Sequence, residues 1–296
     1  MEFLFSCRSG CVGLAGLAAE PYNRGMKRVV WLWVLTLLLA NNVHAAVAQD
    51  YCAKPVRVAM FEFGILYRGS TGEGVDSRLL DVLARRSGCV FERVLMPRAR
   101  IWSELQAGTL DMATAAIPTP ERKAFAYLVP YLTTRNVVLV RKATGAVPAS
   151  MAAFDAGSLR VGMVRGFRHE PAYDNWLARL AAQGRVTEVA DVAELFKYLE
   201  RGMVDAVVSQ PIVFREYLGA DAIQNELVQR DWAPAEQFSV GSLAFSRKSF
   251  TPEQAERWDA LVAGILKDQT MLRILQDFMP PDQARGVVYR GPRMLD

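Results

Sequence analysis

The sequence predicts an α/β protein built as two similar lobes. Short apolar strands alternate with helical stretches over residues 55–116 and again over 159–208, the grammar of a parallel sheet with crossover helices. One helix–turn–strand unit occurs twice: Leu105-x-x-Gly108-x-Leu110-Asp111-Met112-Ala113 returns 94 positions later as Leu199-x-x-Gly202-x-Val204-Asp205-Ala206-Val207. Such an echo suggests two lobes of one design, chance recurrence of a common turn being the alternative. The composition agrees: 296 residues, 51% hydrophobic and 22% charged, exclude a disordered chain, a collagen and a small disulfide scaffold.

Each element has its own signal. Pro55 to Met60 alternates as a strand. Asp76 is placed to cap a helix through Leu79, Leu80, Val82 and Leu83, and Gly88 to end it in the left-handed region. Cys89-Val90-Phe91 starts a second strand. Pro97 opens a helix with Ile101, Trp102 and Leu105 inward, Gly108 closes it, and Leu110 to Ala116 is a third strand. The second half reads as strand Leu159–Val164, helix Ala172–Ala182, strand Val186–Val189, helix Val192–Glu200 and strand Ala206–Val208. Phe238–Phe245 is strand-like, and helices over Pro252–Lys267 and Thr270–Asp277 follow.

Residues 1–48 read as an upstream extension plus a signal peptide rather than fold. Lys27 and Arg28 precede an apolar run, Val29 to Ala40, and small residues then offer cleavage near Ala45 or Ala48. The run is too short for a membrane span of about 20 residues, a membrane anchor being the alternative. Met26 is the better start codon, with Met1 opening a stretch that carries no chemistry. Removing the four basic and two acidic residues of 1–48 from totals of 35 and 31 leaves a net charge of +2. That charge, without basic blocks, excludes a nucleic-acid footprint. Two cysteines remain, Cys52 and Cys89, an even count that suggests one disulfide in an exported chain, free thiols being the alternative.

Gly74-Val75-Asp76, Leu105-Gln106-Ala107-Gly108-Thr109-Leu110-Asp111, Thr119-Pro120-Glu121-Arg122 and Val129-Pro130-Tyr131 resemble the extracellular solute-binding proteins of family 3. The resemblance continues through Gly162–Gly166 and Gly202–Asp205. It implies a bilobed periplasmic-binding-protein-like fold (type II), two α/β lobes joined by two hinge strands. Lobe 1 would hold 49–133 and 241–296, and lobe 2 would hold 134–240. The implied role is a periplasmic monomer without cofactor. It would close on a small polar or carboxylated solute and deliver it to the inner-membrane permease of an ABC-type importer.

The resemblance also implies site residues. Arg122 would grip a ligand carboxylate through its fork, with Thr119 adding a hydroxyl or capping the helix. Arg98 or Arg100 would add a second cation, and Phe61, Phe63 and Tyr67 an aromatic wall. Arg165, Gly166 and Phe167 would form the facing loop, with Ser209 and Gln210 after the strand at Asp205. Phe167 stands where amino-acid binders of the family carry Thr or Ser. Gln210 stands where they carry an aspartate for the ligand ammonium, and Ala115 and Ile117 where they commonly carry serine. These departures favour an acid without an α-ammonium. Asp111 and Asp205 read as structural turn residues.

Enzyme chemistry has little material. After residue 48 the single histidine is His169, no Gly-x-Ser-x-Gly is present, and the cysteine and histidine counts exclude multi-histidine, Cys₂His₂ and Cys₄ zinc sites. One alternative is a cyclohexadienyl-dehydratase-like enzyme on the same fold, with Glu170 as the carboxylate to watch. Another is a receptor read by a signalling partner.

Overall fold

The computed structural model describes residues 51–236 and 238–295. The extension, signal peptide and cleavage sites expected within 1–48 lie outside the described residues. The first half runs β1 (Val56–Met60), α1 (Val75–Ser87), β2 (Phe91–Leu95), α2 (Arg98–Ala107), β3 (Met112–Ala116), α3 (Pro120–Lys123) and β4 (Ala126–Thr134). After Arg135 and Asn136 come β5 (Val137–Arg141), α4 (Met151–Asp155), β6 (Val161–Val164), α5 (Pro171–Ala182), β7 (Val186–Val189) and α6 (Val192–Glu200). They are followed by β8 (Ala206–Ser209), α7 (Pro211–Tyr217), α8 (Ala220–Asn225) and β9 (Leu227–Arg230). The chain then returns through β10 (Ser239–Ser246) to α9 (Pro252–Lys267), α10 (Thr270–Gln276) and α11 (Pro281–Val287).

Two five-stranded sheets result, ordered β2-β1-β3-β10-β4 and β7-β6-β8-β5-β9. The parallel sheet expected from sequence holds for three strands of each, β2-β1-β3 and β7-β6-β8. β10 and β5 run against these strands, and the edge strands β4 and β9 pair antiparallel with β10 and β5. The reason is the crossing itself. β5 and β10 arrive from the opposite lobe at the carboxyl ends of the parallel strands, so they must run back against them. Pro130 sits in β4, an edge strand, opposite a register shift between Gly241 and Ser242, where a missing ladder N–H is tolerated.

The sequence echo has a structural basis. Gly108 and Gly202 adopt left-handed φ of 78° and 70°. The Asp111 carboxylate accepts the Arg57 N–H at 2.9 Å, and the Asp205 carboxylate accepts the Arg160 N–H at 2.8 Å. Each aspartate thus pins the edge of the parallel strand beside its own, once per sheet. One expected cap is corrected. Asp76 does not cap α1; the cap position is Gly74, where a Cβ would lie 2.3 Å from the Leu66 carbonyl oxygen. Asp76 is instead buried within the first turn and accepts the Tyr131 hydroxyl at 2.6 Å. Cys52 and Cys89 form a disulfide, tying the segment before β1 to the turn after α1.

Candidate functional site

The carboxyl ends of β3 and β8 and the crossing strands β4 and β10 surround a cavity of about 40 Å³. From lobe 1 it is lined by Phe61, Phe63, Arg98, Ala115, Ile117 and Arg122. From lobe 2 come Phe167, Arg168, His169, Ser209, Gln210 and Val213. Seven of the twelve residues expected from sequence, Phe61, Phe63, Arg98, Arg122, Phe167, Ser209 and Gln210, therefore converge from segments far apart in the chain.

The two lobes meet across this cavity. The Phe167 ring stands edge-on to Phe61 and Phe63, with centroids 5.9 and 5.4 Å away. Its neighbour Gly166 has φ 80°, and a Cβ there would lie 2.9 Å from the Ala99 Cα in α2, so the approach requires glycine. The Gly166 carbonyl accepts from Trp102 Nε1 at 3.1 Å and from Arg122 Nη2 at 3.2 Å. On the other side Gly64 abuts the backbone of Ile212 in α7, Tyr217 donates to Glu62 at 3.2 Å, and Arg68 grips Glu216 through both oxygens at 2.6 and 2.9 Å. The structure is a closed one.

Arg98 and Arg122 stand at the lobe 1 wall, both buried. Arg98 donates to the carbonyls of Thr114 and Ala115 at 3.1 and 2.6 Å and lies over the rings of Phe61 and Trp102. Ala115 takes φ 50°, a strained conformation for a residue with a Cβ, and so turns its carbonyl to that guanidinium. Arg122 donates to the Ile117 carbonyl at 2.9 Å and lies 3.7 Å over the Trp102 ring. Burial, then the neighbouring charge of Arg122, holds Arg98 well below the usual guanidinium range. Burial first and Arg168 second draw Arg122 down to about 9. Among the described residues neither guanidinium is paired with a carboxylate.

A profile of bacterial extracellular solute-binding proteins, family 3, matches residues 56–281. The chain belongs to that family. Among solved structures, an ancestral arginine-binding protein bound to arginine is 22% identical with a TM-score of 0.63, covering 76% of this chain and 98% of its own. An amino acid ABC transporter substrate-binding protein from Streptococcus pneumoniae, bound to L-arginine, is 19% identical with a TM-score of 0.63, covering 81% and 98%. The arginine-, lysine-, histidine-binding protein of Geobacillus stearothermophilus is 20% identical with a TM-score of 0.61, covering 78% and 100%. At these identities the likeness is one of fold. Comparison with curated proteins found no match.

Within this family 3 fold, five expected residues do not line the cavity: Gly166, which makes the close approach to Ala99, and four others. Arg100 is exposed and paired with Glu104 at 2.6 Å, and Arg165 is exposed and paired with Glu188 at 3.1 Å. Each lies two residues from a cavity-lining neighbour, Arg98 and Phe167 respectively, and turns outward to solvent. Tyr67 is packed in the core. Thr119 caps α3, its hydroxyl accepting the Arg122 N–H at 3.3 Å, and so positions Arg122 from behind. Ser209 ends β8 and Gln210 caps α7 through its backbone. The Gln210 Oε1 is buried without a hydrogen-bond partner.

Sequence reasoning expected two hinge strands but missed the side chain that ties them together. Asn136, between β4 and β5, gives its N–H and its Nδ2 to the two carboxylate oxygens of Glu170 at 3.2 and 2.7 Å. The same Nδ2 reaches the Ser239 hydroxyl at 3.2 Å, so one amide links both crossing segments to lobe 2. All three residues are buried. The available signal was the polar run Thr133-Thr134-Arg135-Asn136 between two apolar stretches. Glu170 is thus held at the hinge and does not line the central cavity. His169 does line it, with its N–H and Nδ1 both turned to Asp174.

Proposed function

We propose that this chain is a periplasmic receptor that captures a small carboxylated solute, an amino acid or related organic acid, and delivers it to an ABC-type importer. The observation that carries this reading is the pair of buried arginines at the lobe 1 wall, held by backbone carbonyls and aromatic rings and unpaired with acid. A guanidinium has five N–H donors, and Arg98 and Arg122 each place two on carbonyls, which leaves donors for a carboxylate. A carboxylate that enters between the lobes meets these charges out of water, where pairing is strongest. The solved relatives named for arginine, and for arginine, lysine and histidine, support an amino acid or a near analogue as the ligand class. The signal-peptide pattern and the disulfide support export to an oxidising compartment.

The test is calorimetric titration of the purified protein with amino acids and organic acids. Ligand recovered unchanged is the result expected of a receptor; a dehydrated product would instead identify an enzyme. Arg122→Ala should weaken binding about 100-fold or more, the usual consequence of removing a buried charged partner. Unchanged affinity in that variant would refute the role.

A further inference from the structure

The cavity wall has an uneven polar chemistry. It carries three guanidinium side chains, Arg98, Arg122 and Arg168, and among the described residues no aspartate or glutamate lines it. Three carboxylates behind the wall are already engaged. Asp76 holds the Tyr131 hydroxyl, Asp174 holds the His169 N–H, and Glu170 holds Asn136. An ammonium brought into this space would be a further cation beside three, with no anion of the protein to meet it. The lobe 2 side offers neutral groups, Ser209 and Gln210, and the Gln210 Oε1 is a buried acceptor without a donor. A buried acceptor left unmade is costly, and a neutral O–H would satisfy it without adding charge. The rest of the wall combines the neutral side chains of Thr134, Asn136 and Ser239, the His169 ring and an apolar body that includes Phe61, Phe63 and Val213.

We propose that the solute is a carboxylate with an apolar body whose second polar group is a neutral hydrogen-bond donor, a hydroxyl in the simplest case, and not an ammonium. The carboxylate meets Arg122, and the donor meets Gln210 across the cleft. This rests on the reading of the chain as a carboxylate receptor. Burial, the largest cause, draws Arg122 down to about 9, and an incoming carboxylate would favour its charged form.

Matched triplets test it on protein purified from cells expressing the full 296-residue chain. The triplets are phenylalanine, 3-phenyllactate and 3-phenylpropionate; leucine, 2-hydroxy-4-methylpentanoate and 4-methylpentanoate; and alanine, lactate and propionate. In at least one triplet the hydroxy acid should bind at least 30-fold more tightly than the amino acid, and more tightly than the unsubstituted acid. Gln210→Glu supplies the missing anion and should narrow the gap between hydroxy acid and amino acid at least 10-fold. An amino acid that binds as well as its hydroxy analogue, with affinity lost in Arg122→Ala, would overturn this proposal and leave the carboxylate receptor standing. Equal binding of hydroxy and unsubstituted acids would overturn the role of Gln210. Binding of neutral or cationic solutes, with no acid bound, would overturn both. The wild-type comparison needs no variant to fold.

Discussion

Asp76 is a buried carboxylate, and its titration bears on stability. Burial raises its pKa from the ordinary 3.8 to about 6, outweighing the hydrogen bonds and the charge of Arg98 that pull it down. A folded-state pKa above the unfolded one means that the folded protein holds the extra proton between about pH 4 and 6. The resulting stability is fully present below the unfolded value and is lost as pH rises through about 6. Two units correspond to about 3 kcal/mol. The melting temperature of the wild type should therefore rise relative to Asp76→Asn as pH falls from 7 to 4.5; parallel curves would remove Asp76 as the cause. Single residues were unevenly legible in sequence. Arg122 stands out within Thr-Pro-Glu-Arg, but nothing in the sequence separates Arg98, which is buried, from Arg100, which is paired with Glu104. Which face of α2 meets the cleft depends on how the other lobe docks, and local periodicity does not carry that.

Elements were legible where their own residues decide them. The helices with a glycine or proline at their ends, α1, α2 and α9, lie within two residues of where turn chemistry places them. The repeated aspartate was visible as a pattern, while its task of holding a neighbouring strand edge is a non-local contact. β4 and β5 went unassigned because they are continuous apolar strands joined by two residues, with no alternation to mark them. The loop after β6 makes its own prediction. Gly166→Ala places a side chain against Ala99 in an unfavourable backbone region, so the lobes should close less readily. Ligand affinity should fall about 10-fold or more, and small-angle scattering should show a larger radius of gyration with saturating ligand than the wild type. An unchanged radius and affinity would mean that the close approach does not govern closure.

At the scale of the molecule, the two-lobe plan was legible because it is written twice, and the antiparallel strands were not, because they follow from the chain passing between lobes. The disulfide spans a sequence separation of 37, for which the chain-entropy account gives about 3–4 kcal/mol. Reduction should therefore lower the melting temperature by roughly 10 °C; no change would show that the bridge adds nothing to the fold. Closure holds Trp102 in an unusual setting, with Arg122 at 3.7 Å and Arg98 at 4.3 Å from its ring, while its N–H bonds Gly166 of the other lobe. Trp176 and Trp258 are sealed in cores. When the lobes part, Trp102 loses that carbonyl and gains water. Its emission should move to longer wavelength, and Trp102→Phe should abolish the ligand-dependent part of the spectrum. The colour of the protein's own fluorescence then reports how far the cleft is open, with no dye attached.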